Sequence, residues 1–186
     1  MYRADVLSYA FNCCRANGGQ PGVDGQTFDD IEACGVDQWL SELTEELRAK
    51  RYVPQPVRRV HIPKPGQPNK TRPLGIPTIK DRVVMTAVLV VLEPIFEADL
   101  QQYAYRPGKS ALDAVASVRT LIQSGHHEVI DADLSGYFDS IPHAELIKSV
   151  ARRVSDSRIL RLIKAWLVAP VEETDKRGRS CRTTVS

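Results

Sequence analysis

The spacing of apolar positions changes along this chain, and each change marks an element. Val6 to Ala16 has apolar residues at helical spacing and predicts a short helix, followed by a turn-rich loop from Gly18 to Gly25. From Asp37 to Lys50, Trp39, Leu40, Leu43 and Leu47 share one face, with acids crowding the first half as the helix dipole favours. An amphipathic helix is expected there. Seven of the twelve prolines lie between Pro54 and Pro77, which excludes a helix. Val57 to Ile62 predicts a strand ending at Pro63, with a turn at Lys64 to Lys70 and a second strand over Pro73 to Pro77. Together they predict an extended hairpin with exposed edges. Asp81 is expected to cap an apolar helix over Val83 to Leu92, which Pro94 kinks or ends.

Downstream, Ser110 with Asp113 three residues later opens a predicted helix. Its apolar stripe is Leu112, Val115, Val118, Leu121 and Ile122, and Gly125 follows its end. Glu128 to Leu134 alternates as a strand does. Pro142 starts a helix through Leu146, Ile147 and Val150, and Ser157 starts another through Ile159, Leu162, Ile163 and Trp166. Val171 to Val185 predicts a polar hairpin turning near Asp175 to Gly178. The fold class is therefore α/β in the broad sense (α+β).

Composition adds exclusions. With 186 residues, 42% hydrophobic and 26% charged, the chain is expected to fold around one core or two small lobes sharing one. The longest apolar run, Val83 to Leu92, is about half of the roughly 20 residues a bilayer span needs. No basic start with an apolar h-region follows Met1, so the cytoplasm is the expected location. Cys13, Cys14, Cys34 and Cys181 lack both zinc-site and disulfide-framework spacing and are read as reduced thiols. The net charge of +2 conceals an asymmetry. Residues 1–50 hold nine acids against four bases; residues 51–80 hold seven bases and no acid.

Two features carry candidate chemistry. If 128–134 is a strand, Asp131 and Asp133 point to one face, about 6 to 7 Å apart along the backbone. Carboxylates at a strand end suit Mg²⁺; a surface acidic pair before a turn, with Asp139 capping locally, is the simpler alternative. The basic stretch suits a phosphate polyanion, with Lys64 and Arg72 flanking a turn and able to converge on one phosphate. Its alternative is a strand edge protected by charge.

Seven blocks then occur in order: Gly22 to Thr27, Pro54 to Pro65, Arg72 to Pro77, Asp81 to Val83, Leu92 to Phe96, Tyr105 to Ser110, and Asp131 to Leu134 with Phe138 and Asp139. Together they resemble the N-terminal half of group II intron reverse transcriptases (intron-encoded maturases). The resemblance implies right-hand polymerase fingers with an incomplete palm. It divides the chain into an N-terminal extension-like segment (1–35), fingers (36–125) and partial palm (126–186). By the same resemblance Asp133 is the first catalytic aspartate and binds Mg²⁺ together with the Leu134 carbonyl. Lys64 and Arg72 contact the triphosphate of the deoxynucleotide substrate, and Phe138 is the aromatic gate under its sugar. The Gly22 and Asp24 loop touches the RNA template, Arg106 and Lys109 lie near template or nucleotide, and Arg58 and Arg59 are RNA contacts of the basic segment. Asp131 is not a position the family relies on.

The implied activity is RNA-directed DNA synthesis, adding deoxynucleotides to a DNA primer on an RNA template, together with assistance to intron splicing. The family's Tyr-x-Asp-Asp hairpin, its Pro-Gln-Gly block and its thumb do not occur in these 186 residues. The expectation is thus a truncated product, one piece of a split enzyme or an excised fragment, inactive as a polymerase alone. It would need a second polypeptide to complete the palm, or self-associate through apolar faces left uncovered. Two alternatives remain: a non-catalytic RNA-binding module of the maturase kind, and an unrelated Mg²⁺-dependent transferase built on the Asp131/Asp133 pair.

Overall fold

The computed structural model describes residues 2–97, 102–104, 106, 108–133, 137–174 and 180–183, with Gln67, Pro68, Phe138 and Asp139 described in their backbone only. Four helices build the core. Helix α1 (Ala4–Asn17) buries Leu7, Ala10, Phe11 and Cys14, one stripe at i, i+3, i+4 and i+7. It packs along α4 (Ile79–Glu97), whose Ile79, Val83, Val84, Ala87 and Val88 are almost wholly enclosed. Helix α3 (Val36–Arg48) contributes Leu40, Leu43 and Leu47 from the face the sequence marks.

Helix α2 (Phe28–Cys34) is additional to the sequence reading. Its signal is nonetheless present: Thr27 and Asp30 form a capping box, the Thr27 N–H donating to Asp30 Oδ2 at 2.8 Å and the Asp30 N–H to Thr27 Oγ1 at 3.2 Å. Phe28 and Ile31 anchor it against Phe11 and Trp39.

The later helices are α5 (Ala111–Gln123), α6 (Tyr137–Ser140), α7 (His143–Ala151) and α8 (Ser157–Leu167). Ser110 and Asp113 form the predicted capping box of α5. Among the described residues of these four helices, those of α8 add buried side chains to the core, Ile159 and Leu162. The stripe of α5 is uncovered, with Leu112 80% and Val115 65% exposed.

Strand β1 (Val57–Lys64) pairs antiparallel with β2 (Gln67–Ile76), and parallel over Val57–Arg59 with β3 (Val171–Thr174). β3 pairs antiparallel with β4 (Ser180–Thr183), giving the order β2-β1-β3-β4. The terminal hairpin strands match the sequence expectation; the turn at 175–178 lies outside the described residues. The sheet thus draws on both the 36–125 and the 126–186 segments.

Four expectations need correction. β1 continues through Pro63, which pairs with Thr71; among the described residues no strand pairs with β1 on the β3 side beyond Arg59, an edge setting that tolerates proline. The hairpin is longer and its turn tighter than expected, only Pro65 and Gly66 separating the strands. Of the two outcomes expected at Pro94, a kink or an end, the end is overturned, since α4 runs to Glu97. Arg106 Nη2 donates to the Glu97 carbonyl at 3.1 Å and Arg153 Nη1 to that of Ile95 at 3.3 Å, supplying partners to carbonyls at the helix end. Finally, 128–133 is not a strand. Val129 is 75% and Ile130 95% exposed, and the segment has no place in the described sheet. Alternation gives a strand two faces, but only a partner's backbone supplies the hydrogen-bond ladder.

The root of the β1–β2 hairpin is fixed by a buried polar network. Asp81 is 1% exposed and lies inside α4, so the capping residue is Thr78, whose Oγ1 accepts from the Asp81 N–H at 3.1 Å. The Asp81 carboxylate accepts from the Tyr52 hydroxyl at 2.6 Å, the Thr78 hydroxyl at 2.8 Å and the Gln55 N–H at 3.1 Å. Trp166 Nε1 of α8 donates to the Tyr52 oxygen at 3.2 Å. Burial, then the hydrogen bond to Asp81, pushes the Tyr52 hydroxyl far above its usual range and keeps it a donor.

Candidate nucleic-acid interface and polymerase-type site

The hairpin carries the basic segment outward. Lys64, Lys70 and Arg72 are exposed. Arg72 sits across from Ile62, two residues before Lys64, a spacing that in an unbroken ladder would make Lys64 and Arg72 diagonal neighbours on one face. The register shifts between Pro63 and Lys64, where Lys64 pairs with Gln67 instead. Both residues therefore stand on the distal part of one hairpin.

Arg58 and Arg59 are placed differently. Both are half-buried, opposite Glu172 and Glu173 of β3, so acids distant in sequence flank a stretch that has none of its own. Glu172 is held by Arg182 Nε at 2.7 Å and by the Ser180 hydroxyl at 2.7 Å, which lower its carboxyl below the usual range, Arg182 first. His61 Nδ1 lies 3.3 Å from Glu173 Oε1. Nε of Arg58 is enclosed with no hydrogen-bond acceptor among the described residues.

The Gly22 loop is docked, not free. A Cβ at Gly22 would stand 2.6 Å from the Thr78 nitrogen and 2.7 Å from its Cα, so only glycine allows this approach. Arg82 clamps the same loop, its Nη1 donating to the Gly18 carbonyl and its Nη2 to that of Gln20, both at 3.0 Å, with its guanidinium 5.4 Å from the Phe28 ring centroid. Sequence reasoning missed Arg82 in this role; the Asp81-Arg82-Val83 block contained it without a reason. Asp24 is exposed and caps a local turn by accepting from the Gln26 N–H at 3.2 Å. It borders a polar cleft of about 680 Å³ with Trp39, Arg51, Gln55 and Lys80.

Arg106 forms an ion pair with Glu97 and is mostly enclosed, which gives it a structural task at the end of α4. Lys109 is exposed, with its ammonium 5.5 Å from the Tyr103 ring centroid. Asp133 is exposed in the irregular 128–133 segment; Leu134 and the side chain of Phe138 lie outside the described residues. As a hard oxygen donor Asp133 fits one Mg²⁺ ligand. Among the described residues no three His, Cys, Asp or Glu side chains gather into a metal-binding group. The structure thus brings Lys64 and Arg72 onto one hairpin and leaves Asp133 on a separate segment.

The exposed Lys64, Lys70 and Arg72 on one hairpin and the exposed Asp133 on an irregular segment both fall within a stretch of the chain that matches a known family. The chain is a member of the reverse transcriptase family: the family described as reverse transcriptase (RNA-dependent DNA polymerase) matches residues 62–186. It is 40% identical over 149 residues to Protein YkfC of Escherichia coli K12, covering 77% of this chain and 38% of that protein. It is 30% identical over 173 residues to the group II intron-encoded protein LtrA of Lactococcus lactis subsp. cremoris, covering 91% of this chain and 28% of LtrA. It is 35% identical over 94 residues to nuclear intron maturase 2, mitochondrial, of Arabidopsis thaliana, covering 50% of this chain and 13% of that protein. The chain spans well under half the length of each. Among the described residues no helix is long and apolar enough to cross a membrane.

Proposed function

We propose that this chain is the fingers and first palm portion of an RNA-directed DNA polymerase of the group II intron type, binding intron or template RNA and assisting splicing. The observation that carries the reading is the family match over 62–186, which includes both the exposed Lys64, Lys70 and Arg72 and the Asp133 segment. In this reading Lys64 and Arg72 hold the triphosphate of a deoxynucleotide, Phe138 lies under its sugar, and Lys109 and the Gly22–Asp24 loop face the template. Arg106 acts by holding the end of α4. Mg²⁺ on Asp133 and the Leu134 carbonyl would supply Lewis-acid charge to phosphoryl transfer. The right-hand arrangement belongs to the same proposal, with 1–35 an N-terminal extension, 36–125 the fingers and 126–186 part of the palm.

Polymerisation needs more carboxylates than the single matched aspartate, because two metal ions share the reacting phosphate. The exposed stripe of α5 and the unpaired 128–133 segment support a partner polypeptide that completes the palm and gives this segment its ladder. Two assays on the purified chain test the proposal. Filter binding to single-stranded RNA is expected to be retained and salt-dependent, and primer extension with Mg²⁺ and deoxynucleotides is expected to give no product. DNA product from the chain alone would refute the need for further carboxylates, and no RNA retention at low salt would refute the interface. The non-catalytic module is the second reading, favoured by the lack, among the described residues, of further metal-ligating side chains gathered with Asp133. There, Asp133→Ala leaves RNA binding intact while Arg58→Ala and Arg59→Ala, made together, weaken it and lower its salt slope.

A further inference from the structure

A groove of about 620 Å³ on the helical side combines an apolar floor with a cationic rim, and none of its lining residues belongs to the β1–β2 hairpin. It lies between the end of α3, the 52–54 loop, Val91 of α4 and one side of α8. This volume is within the range of sites that enclose a ligand. The floor is formed by Leu47, Ile159 and Leu162, core residues whose outer surfaces end here, and by Val53, which is 69% exposed.

Along α8, Arg158, Arg161 and Ala165 follow at i, i+3 and i+7, and Lys50 joins them from the end of α3. Among the described residues, none of these three cations pairs with a carboxylate: Arg3 at the same rim is held by Asp5 at 2.7 Å, and Asp156 spends its carboxylate on the Arg158 backbone N–H at 2.8 Å. Lys50 has φ +58°, a left-handed backbone conformation that places it just past the end of α3.

We infer that this groove docks an acidic amphipathic helix of a partner protein. Apolar side chains three or four residues apart would rest on the floor, and flanking Asp or Glu would meet Lys50, Arg158 and Arg161. Charge selects this occupant, since a neutral apolar segment would desolvate three cations without a counter-ion. RNA would match the rim but leave the aliphatic floor unused.

The test is fluorescence anisotropy of the full chain with a fluorescein-labelled 16-residue helical peptide carrying Leu at i, i+4, i+7 and i+11 and Glu elsewhere. A control peptide replaces every Glu by Lys. The Glu peptide is expected to bind at least about tenfold more tightly than the Lys peptide, and the double variant Arg158→Glu, Arg161→Glu to weaken it by about tenfold or more. Ala165→Trp, which fills the groove, is expected to remove saturable binding. Equal binding of the two peptides, binding unchanged in either variant, or displacement of the Glu peptide by a single-stranded RNA oligonucleotide would overturn the inference. If circular dichroism shows Ala165→Trp unfolded, Val53→Glu in the exposed loop replaces it, and unchanged binding there overturns the inference equally.

Discussion

Replacing Asp81 by Ala removes the acceptor on which three segments converge: the loop from Tyr52 to Gln55, the start of α4, and α8 through Trp166. The Tyr52 hydroxyl and the Gln55 N–H lose their partner in a buried place; the Thr78 hydroxyl is short enough to rotate toward another acceptor. At about 1–3 kcal/mol for each of the two donors left unsatisfied, the expected loss is about 2–6 kcal/mol. That is a large share of the roughly 5–15 kcal/mol by which domains are stable. For a chain of this size it lowers Tm by roughly 4–24 °C. The assay is urea denaturation followed by tryptophan fluorescence in a Trp39→Phe background, so that the signal comes from Trp166. Tyr52→Phe should cost less, because the carboxylate keeps two donors. The double variant should fall short of the sum, since the two changes remove one shared bond. A loss below about 1 kcal/mol for Asp81→Ala would refute the claim that this carboxylate holds the hairpin root.

Further outcomes follow from the same geometry. The Tyr52 hydroxyl is raised in the folded state, so its stabilising contribution is complete below the ordinary tyrosine value of 10.0 and is lost as pH rises above it. Alkaline unfolding should therefore be shallower in Tyr52→Phe than in the parent between pH 10 and the alkaline limit of the assay. Gly22→Ala forces a methyl group against the Thr78 backbone and should cost about 1–3 kcal/mol by displacing the loop, read in chemical denaturation. Lys109→Ala, at an exposed site, should leave stability unchanged and lower the salt slope of single-stranded RNA binding by about 0.7, the value of roughly one phosphate contact. Arg106→Ala should do the reverse, lowering thermal stability while leaving the salt slope unchanged, because its guanidinium is committed to Glu97 and to helix-end carbonyls.

The helices were legible because their signals are local. The stripe Leu40, Leu43, Leu47 and the capping pair Ser110 with Asp113 lie within one or two turns, and the structure forms both as expected. The capping box of α2, Thr27 with Asp30, is also a local signal, but at seven residues the helix shows no repeating apolar stripe. The family is the one the ordered blocks indicate, and the match over 62–186 takes in Arg72 to Pro77 and the blocks after it. The ion pair of Arg106 with Glu97 was not legible, because Glu97 belongs to the preceding helix and no spacing rule links the two.

Sequence alone determined the apolar stripe of α3 and the capping box of α5, that 54–77 holds no helix and is basic, and which family the ordered blocks indicate, since backbone preference, periodicity and charge are properties of neighbouring residues. Tertiary structure alone decided that Glu172 and Glu173 lie beside Arg58 and Arg59. It also decided that Asp81 is a buried acceptor rather than a cap, and that the alternating 128–133 segment is no strand. Each of these depends on a partner distant in the chain: a counter-charge, a donor or a ladder. No local pattern specifies which distant backbone or side chain will supply it.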